Sequence, residues 1–137
     1  MANKLIKYIN FEIKGDDRGS LISLEQNSNI PFEIKRNYYI FNTLPDVKRG
    51  CHAHKKLKQL LITVSGKCDI LLDNGITQET VVLNSPTKGL LIEEMIWREM
   101  FNFTKDCVLL VLANDFYSEN DYIRDYQEFL SLKKKNQ

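Results

Sequence analysis

His52 and His54 are the only histidines in the 137-residue chain, and they lie two apart in Arg49-Gly50-Cys51-His52-Ala53-His54-Lys55-Lys56-Leu57-Lys58-Gln59. On a β-strand, side chains two apart project from one face, so both imidazoles would point into whatever that face covers. Imidazole titrates near neutrality and binds divalent metals, so a paired His-x-His facing a cavity suits proton transfer or metal ligation. A pair of surface histidines on a basic loop is the third reading. Cys51 adjoins His52 in sequence, but strand neighbours face opposite sides, which argues against a Cys–His nucleophile pair.

The elements around this segment read as β-structure. Leu5 to Ile13 has the apolar and β-branched content of an opening strand, and Lys14 to Ser20 reads as a turn before a short strand from Leu21 to Glu25. Gln26 to Pro31 breaks the pattern. Phe32 to Phe41 is a strand ending in aromatics, and the loop Asn42 to Lys48, with Pro45, delivers the chain to the histidines. Further strands are expected at Gln59–Val64, Lys67–Leu72, Ile76–Leu83, Gly89–Ile92, Ile96–Phe103 and Cys107–Ala113, separated by turn signals such as Ser65-Gly66 and Asp73-Asn74-Gly75. The last is almost wholly apolar, as a central strand would be. Short strands at this spacing predict an all-β fold, an antiparallel sandwich or barrel. At the end, Tyr122, Tyr126, Phe129 and Leu130 have helical spacing, with acids early and lysines late. That predicts a C-terminal α-helix over about 119–134, packed outside the barrel.

Composition narrows the function classes. A chain of this length forms one domain, 1–137, with a real core. A formal net charge of +1 provides no global field for nucleic acid or an acidic membrane. No apolar stretch is long enough to span a bilayer, and the N-terminal residues do not lead into a signal-type segment. Three widely spaced cysteines, Cys51, Cys68 and Cys107, fit reduced thiols and a cytoplasmic location better than a disulfide framework.

A small β-barrel carrying His-x-His resembles a cupin-type jelly roll. Metal-binding cupins carry a Glu where Gln59 stands and supply a further His from a later strand. Here that later position looks like Arg98, in Trp97-Arg98-Glu99-Met100, and the chain has no third histidine. Gln is a poor substitute for a carboxylate at a divalent cation and Arg is no ligand, so no metal is expected. An Arg facing a barrel interior instead suits a carboxylate or phosphate.

Longer blocks carry a closer resemblance. Ile30 to Ile40, Arg49 to Gln59, Trp97 to Met100, Leu112 to Tyr117 and Asp121 to Arg124 resemble, in order and over nearly the whole chain, the sugar-nucleotide 3,4-ketoisomerases. These are metal-free cupins acting on dTDP-4-keto-6-deoxyglucose. The resemblance implies movement of the carbonyl from C4 to C3 through an enediol, without a cofactor, ahead of C3 amination in dideoxyaminosugar synthesis. It also implies a homodimer with strand exchange. By position, His52 would be the base at C3, His54 its proton-moving partner, and Tyr38 a hydrogen-bonding stabiliser of the enediolate. Arg49 and Arg98 would face the pyrophosphate or sugar, Gln59 and Glu99 the sugar edge, and Arg18 would lie near the sugar. Family members that leave different configurations at C4 also differ at the positions of Arg18 and Arg98. This chain has Arg at both, which leaves the galacto product, the gluco product or a mixture open. Two other functions compete: a sugar-nucleotide 3,5-epimerase, whose His–Asp dyad the His-x-His block fits poorly, and a non-catalytic sugar-nucleotide-binding cupin.

Overall fold

The computed structural model describes residues 4–136. Its strands are β1 (Lys7–Asn10), β2 (Lys14–Asp16), β3 (Gly19–Leu21), β4 (Arg36–Ile40), β5 (Arg49–His54) and β6 (Gln59–Ser65). They continue as β7 (Cys68–Asp73), β8 (Gln78–Leu83), β9 (Lys88–Ile92), β10 (Trp97–Phe101), β11 (Val108–Ala113) and β12 (Tyr122–Ile123), before helix α1 (Tyr126–Lys135). All named ladders are antiparallel. They form two five-stranded sheets, ordered β1-β9-β6-β11-β4 and β12-β5-β10-β7-β8, while β2 and β3 make a separate hairpin. The fold is all-β, of the cupin jelly-roll type, with one C-terminal helix. The two sheets share no ladder, so the barrel is unsealed where edge strand β4 faces β12 and β5.

Side-chain alternation builds three apolar layers. Between the sheets, Leu61, Ile70, Leu72, Leu90, Leu109 and Val111 are completely or almost completely buried. Each such side chain contributes roughly 1.5–3 kcal/mol by leaving water. The outer face of the first sheet, Leu60, Ile62 and Leu112, is covered by Phe11, Ile30 and Phe32. The outer face of the second, Ala53, Trp97 and Ile123, is covered by Phe129 of α1. The near-continuous apolar run of β11 follows from its position, paired with β6 on one side and β4 on the other and covered on both faces.

Several boundaries depart from the sequence reading. The opening strand is only Lys7–Asn10, and the turn expected over 14–20 is the hairpin β2–β3, with its bend at Asp17-Arg18. Ile22 and Leu24 pack as irregular chain on the outer layer instead of forming a strand. The largest difference is at the C-terminus. Glu119–Asp121 is a single 3-10 turn, and Tyr122–Ile123 is a strand paired with His54 and Ala53. The helix starts only after Asp125, whose side chain accepts the Glu128 N–H as its N-cap. Tyr122 shares helical spacing with Tyr126 by coincidence; a ladder with β5 satisfies its backbone, so the helix cannot extend back through it.

Candidate active site

β5 carries the histidines into the interior along the unsealed edge. Gly50 and Cys51 have φ of +83° and +54°, left-handed values that form a bulge where β5 pairs with β10. A Cβ on Gly50 would lie 3.3 Å from the Arg98 carbonyl, and only glycine adopts that φ without strain. Beyond the bulge, His52 and His54 face inward while Cys51 and Ala53 face the layer under α1. The two imidazoles stand edge to face with centroids 4.7 Å apart, and Tyr122 packs against both, at 4.9 and 4.4 Å.

A chain of polar contacts runs through the pair. The Gly50 carbonyl lies 2.9 Å from His52 Nδ1, His52 Nε2 lies 3.1 Å from His54 Nε2, and His54 Nδ1 lies 3.0 Å from Asp121 Oδ2. Asp121 is fixed in turn: its Oδ1 accepts the Lys56 N–H and its backbone carbonyl accepts the Lys55 N–H. The sequence reading missed Asp121, because it placed this segment in a helix. The one signal available was its position beside Tyr122-Ile123 in a block resembling the family.

Arg98 is fully buried opposite His52 in the β5–β10 ladder. Its Nη1 donates to Gln59 Oε1 at 2.6 Å, and Nε and Nη2 donate to the Ile96 carbonyl. Arginine can only donate, so Gln59 must present its carbonyl to Arg98 and its amide N–H to Tyr38, 3.2 Å away. The Tyr38 oxygen therefore accepts from Gln59, which leaves the phenol O–H available to donate to a guest. Burial raises the Tyr38 pKa, so it remains protonated at neutral pH.

Burial, reinforced by the enclosed guanidinium, also sets the charge of the histidines. Burial, followed by the field of Arg98, lowers His52 to about 4 and His54 to about 2. Both imidazoles are thus neutral at pH 7, the state a general base requires. Burial likewise lowers Arg98 to about 10, which keeps it charged.

Two cavities meet at this point. One of about 520 Å³ is lined by Tyr38, Arg49, His52 and Arg124, the other, of about 470 Å³, by His54, Asp121, Asn114 and Phe116; Arg36 and Tyr122 line both. Arg36 is half-buried, its guanidinium lies over the Tyr38 and Tyr117 rings, and its buried Nε has no hydrogen-bond partner.

Of the residues expected at a site, His52, His54, Tyr38, Gln59, Arg98 and Arg49 are brought to this region. Arg98 is enclosed and committed to Gln59 and Ile96, so it acts on the site through neighbours. Two are placed elsewhere. Glu99 follows Arg98 by one residue and so faces outward, where Trp97 Nε1 and Lys48 Nζ donate to it. Arg18 is exposed on the β2–β3 hairpin, paired with Asp16 and away from the histidines of its own chain. Among the described residues, no group of three or more His, Cys, Asp or Glu is placed to hold a metal ion.

The chain is similar to proteins of known activity. The sequence matches the family described as FdtA: WxcM-like, C-terminal, over residues 4–134. It is 50% identical over 123 residues to the TDP-4-oxo-6-deoxy-alpha-D-glucose-3,4-oxoisomerase of Aneurinibacillus thermoaerophilus, covering 90% of this chain and 88% of that protein. Among solved structures, a 3,4-ketoisomerase from Helicobacter canadensis is 54% identical with a TM-score of 0.92, covering 94% of this chain and 97% of its own. A His-to-Asn variant of the 3,4-ketoisomerase from Thermoanaerobacterium thermosaccharolyticum, in complex with TDP-4-keto-6-deoxyglucose, is 42% identical, with a TM-score of 0.94 and coverage of 98% and 97%. A dTDP-4-dehydrorhamnose 3,5-epimerase from Bacillus anthracis, 13% identical with a TM-score of 0.74, shares the fold alone. With the match spanning nearly its whole length, the chain belongs to the FdtA (WxcM-like, C-terminal) family of sugar-nucleotide 3,4-ketoisomerases.

Proposed function

We propose that this isomerase takes dTDP-4-keto-6-deoxyglucose and moves its carbonyl from C4 to C3, with His52 and His54 transferring the protons. The observation that carries the reading is the pair of facing, neutral imidazoles 3.1 Å apart at a cavity that also holds Tyr38. His52 removes the C3 proton; the C–H electron pair becomes the C3=C4 bond, and negative charge collects on O4. The Tyr38 O–H donates to that oxygen. The O3 proton passes to O4 through the histidine pair, with His54 as the partner of His52, and a proton returned to C4 leaves a ketone at C3 and a hydroxyl at C4. No electrons leave the sugar, so the step balances without a redox cofactor. Arg36, Arg49 and Arg124, which line the open cavity, suit the diphosphate.

Turnover in D2O tests this directly. Label is expected at C4 of the product, with the carbonyl at C3. A 3,5-epimerase would leave the carbonyl at C4, and a binding protein would leave the sugar unlabelled; either result overturns the proposal. Turnover is expected to survive chelators.

With Arg at both 18 and 98, the product is a mixture of C4 epimers. Coupling the reaction to C3 amination and measuring NMR couplings at C4 tests this, and one pure epimer would overturn it. The active form is a homodimer with exchanged strands. The free-standing β2–β3 hairpin and the exposed Ile13, Leu21 and Val64 support that reading, and light scattering on the purified protein tests it. The three free thiols, two of them buried, support a cytoplasmic setting, which cell fractionation tests.

A further inference from the structure

The contacts through the histidine pair can be counted in protons. Three gaps lie in the row Gly50 carbonyl, His52, His54, Asp121 carboxylate. The first gap can be filled only from His52 Nδ1, because a carbonyl only accepts. The last is filled from His54 Nδ1, because a carboxylate likewise only accepts. Each neutral imidazole has then used its one N–H, so two bare Nε2 lone pairs face each other across the middle gap. Two unprotonated nitrogens at that distance are one proton short of a hydrogen bond.

We propose that Asp121 is the positioning residue of the proton relay: by holding His54 as its Nδ1–H tautomer it keeps the His52–His54 gap open for the proton taken from C3. The proposal rests on the isomerase reading above. The sugar C3–H bond breaks, its electron pair enters the C3=C4 bond, and the proton enters the vacant gap. There it has a nitrogen on each side and a carboxylate behind His54 to balance its charge. Burial and Arg98 otherwise make each imidazole a weak base, so the shared gap supplies basicity that neither ring has alone. The charged and titratable groups facing the pair are Arg98 from β10, Arg36 and Tyr38 from β4, Tyr122 and Arg124 from β12 and the turn after it, and Glu119 and Asp121 from the 3-10 turn. Of the two carboxylates, only Asp121 bonds an imidazole; Glu119 is held by Arg124 and Tyr117.

Asp121→Asn tests the assignment. The Asn carbonyl can still accept the Lys56 N–H, which turns its NH2 group toward His54 Nδ1. His54 must then carry its proton on Nε2, filling the gap in advance. With only two histidines in the chain, 15N NMR of the folded protein reads both tautomers without turnover, His52→Asn assigning the signals. In the wild type, both Nδ1 atoms are expected to be protonated and both Nε2 atoms bare at pH 7. In Asp121→Asn, His54 is expected to exchange its two nitrogens. In the same variant kcat is expected to fall roughly 10²- to 10⁴-fold with KM within about threefold, and its acid limb to move. Asp121→Glu is expected to restore part of kcat. A bare His54 Nδ1 in the wild type, or an unchanged His54 in Asp121→Asn, overturns the proposal. Failure of the isomerase reading would appear separately, as a wild type with these tautomers and no turnover.

Discussion

Two carboxylates in this small protein sit among aromatic and amide groups at the margins of the second sheet, and they are used in opposite ways. Asp73, at the end of β7, accepts from the Gly75 N–H, the Gln78 amide and the Tyr126 hydroxyl. Its cluster is closed: it pins the β7–β8 turn to helix α1, and Asp73 itself is 2% exposed. Asp121 has a similar supply of donors, in Lys56 N–H and His54 Nδ1, yet beyond His54 the row of contacts continues to the Nε2–Nε2 pair, 3.1 Å apart, and opens on two cavities. A fully satisfied polar cluster rigidifies. One left a proton short can take a proton up.

The largest effect should come from removing the base. His52→Asn is expected to lower kcat by about 10³-fold or more while dTDP affinity, measured by calorimetry, stays within a few-fold. A variant with full activity would remove His52 from the mechanism and with it the contrast. Tyr38→Phe is expected to cost roughly 10²-fold in kcat, as loss of one donor to a developing oxyanion does. Gln59→Leu should produce a smaller loss of turnover together with about 1–3 kcal/mol of stability, because Arg98 loses its side-chain acceptor. Steady-state kinetics beside thermal unfolding separates the two components.

On the closed side, Asp73→Ala should cost about 1–3 kcal/mol, read as a lower unfolding temperature, with kcat unchanged. A loss of kcat at constant stability would show that the two clusters communicate. The smallest effect concerns pH. His52, with its pKa lowered to about 4, is unprotonated and competent throughout the neutral range, so kcat/KM should be flat from about pH 6 to 8 and fall as pH drops toward 4. Stability follows the same sign. The folded pKa lies below the unfolded value, so protonation favours the unfolded chain. The contribution is fully present above about pH 6.5 and is lost as pH falls toward 4. A base limb or acid limb near pH 6.5 would mean that the imidazoles are not held neutral by burial and Arg98.

Much of this was legible in the residues. The alternation and turn signals gave the strands from Gln59 to Ala113 within two residues, because most have a buried face and nearby Gly, Asn, Ser or Pro. His-x-His on one strand face was legible for the same reason: side-chain direction on a strand is local. Residues 119–125 were misread because their hydrogen bonds go to β5, some 67 positions away for the Asp121–His54 contact, and no local period records a distant partner. Arg98 and Glu99 show both cases. Local alternation places them on opposite faces, but which face holds the histidines is a fact of the packed sheets.

The sequence alone therefore determined the class of fold, the shared strand face of the two imidazoles and the donor set that disfavours a metal, since these depend on residue type and strand periodicity. Tertiary structure decided the rest. It turned Arg98 from an expected substrate ligand into a buried cation that orients Gln59 and adds to the burial that keeps both histidines neutral. It also brought Asp121 from what looked like a helix to the far nitrogen of His54. Hydrogen-bond direction and pKa depend on which groups meet in a low-dielectric interior, and only the folded chain specifies that meeting.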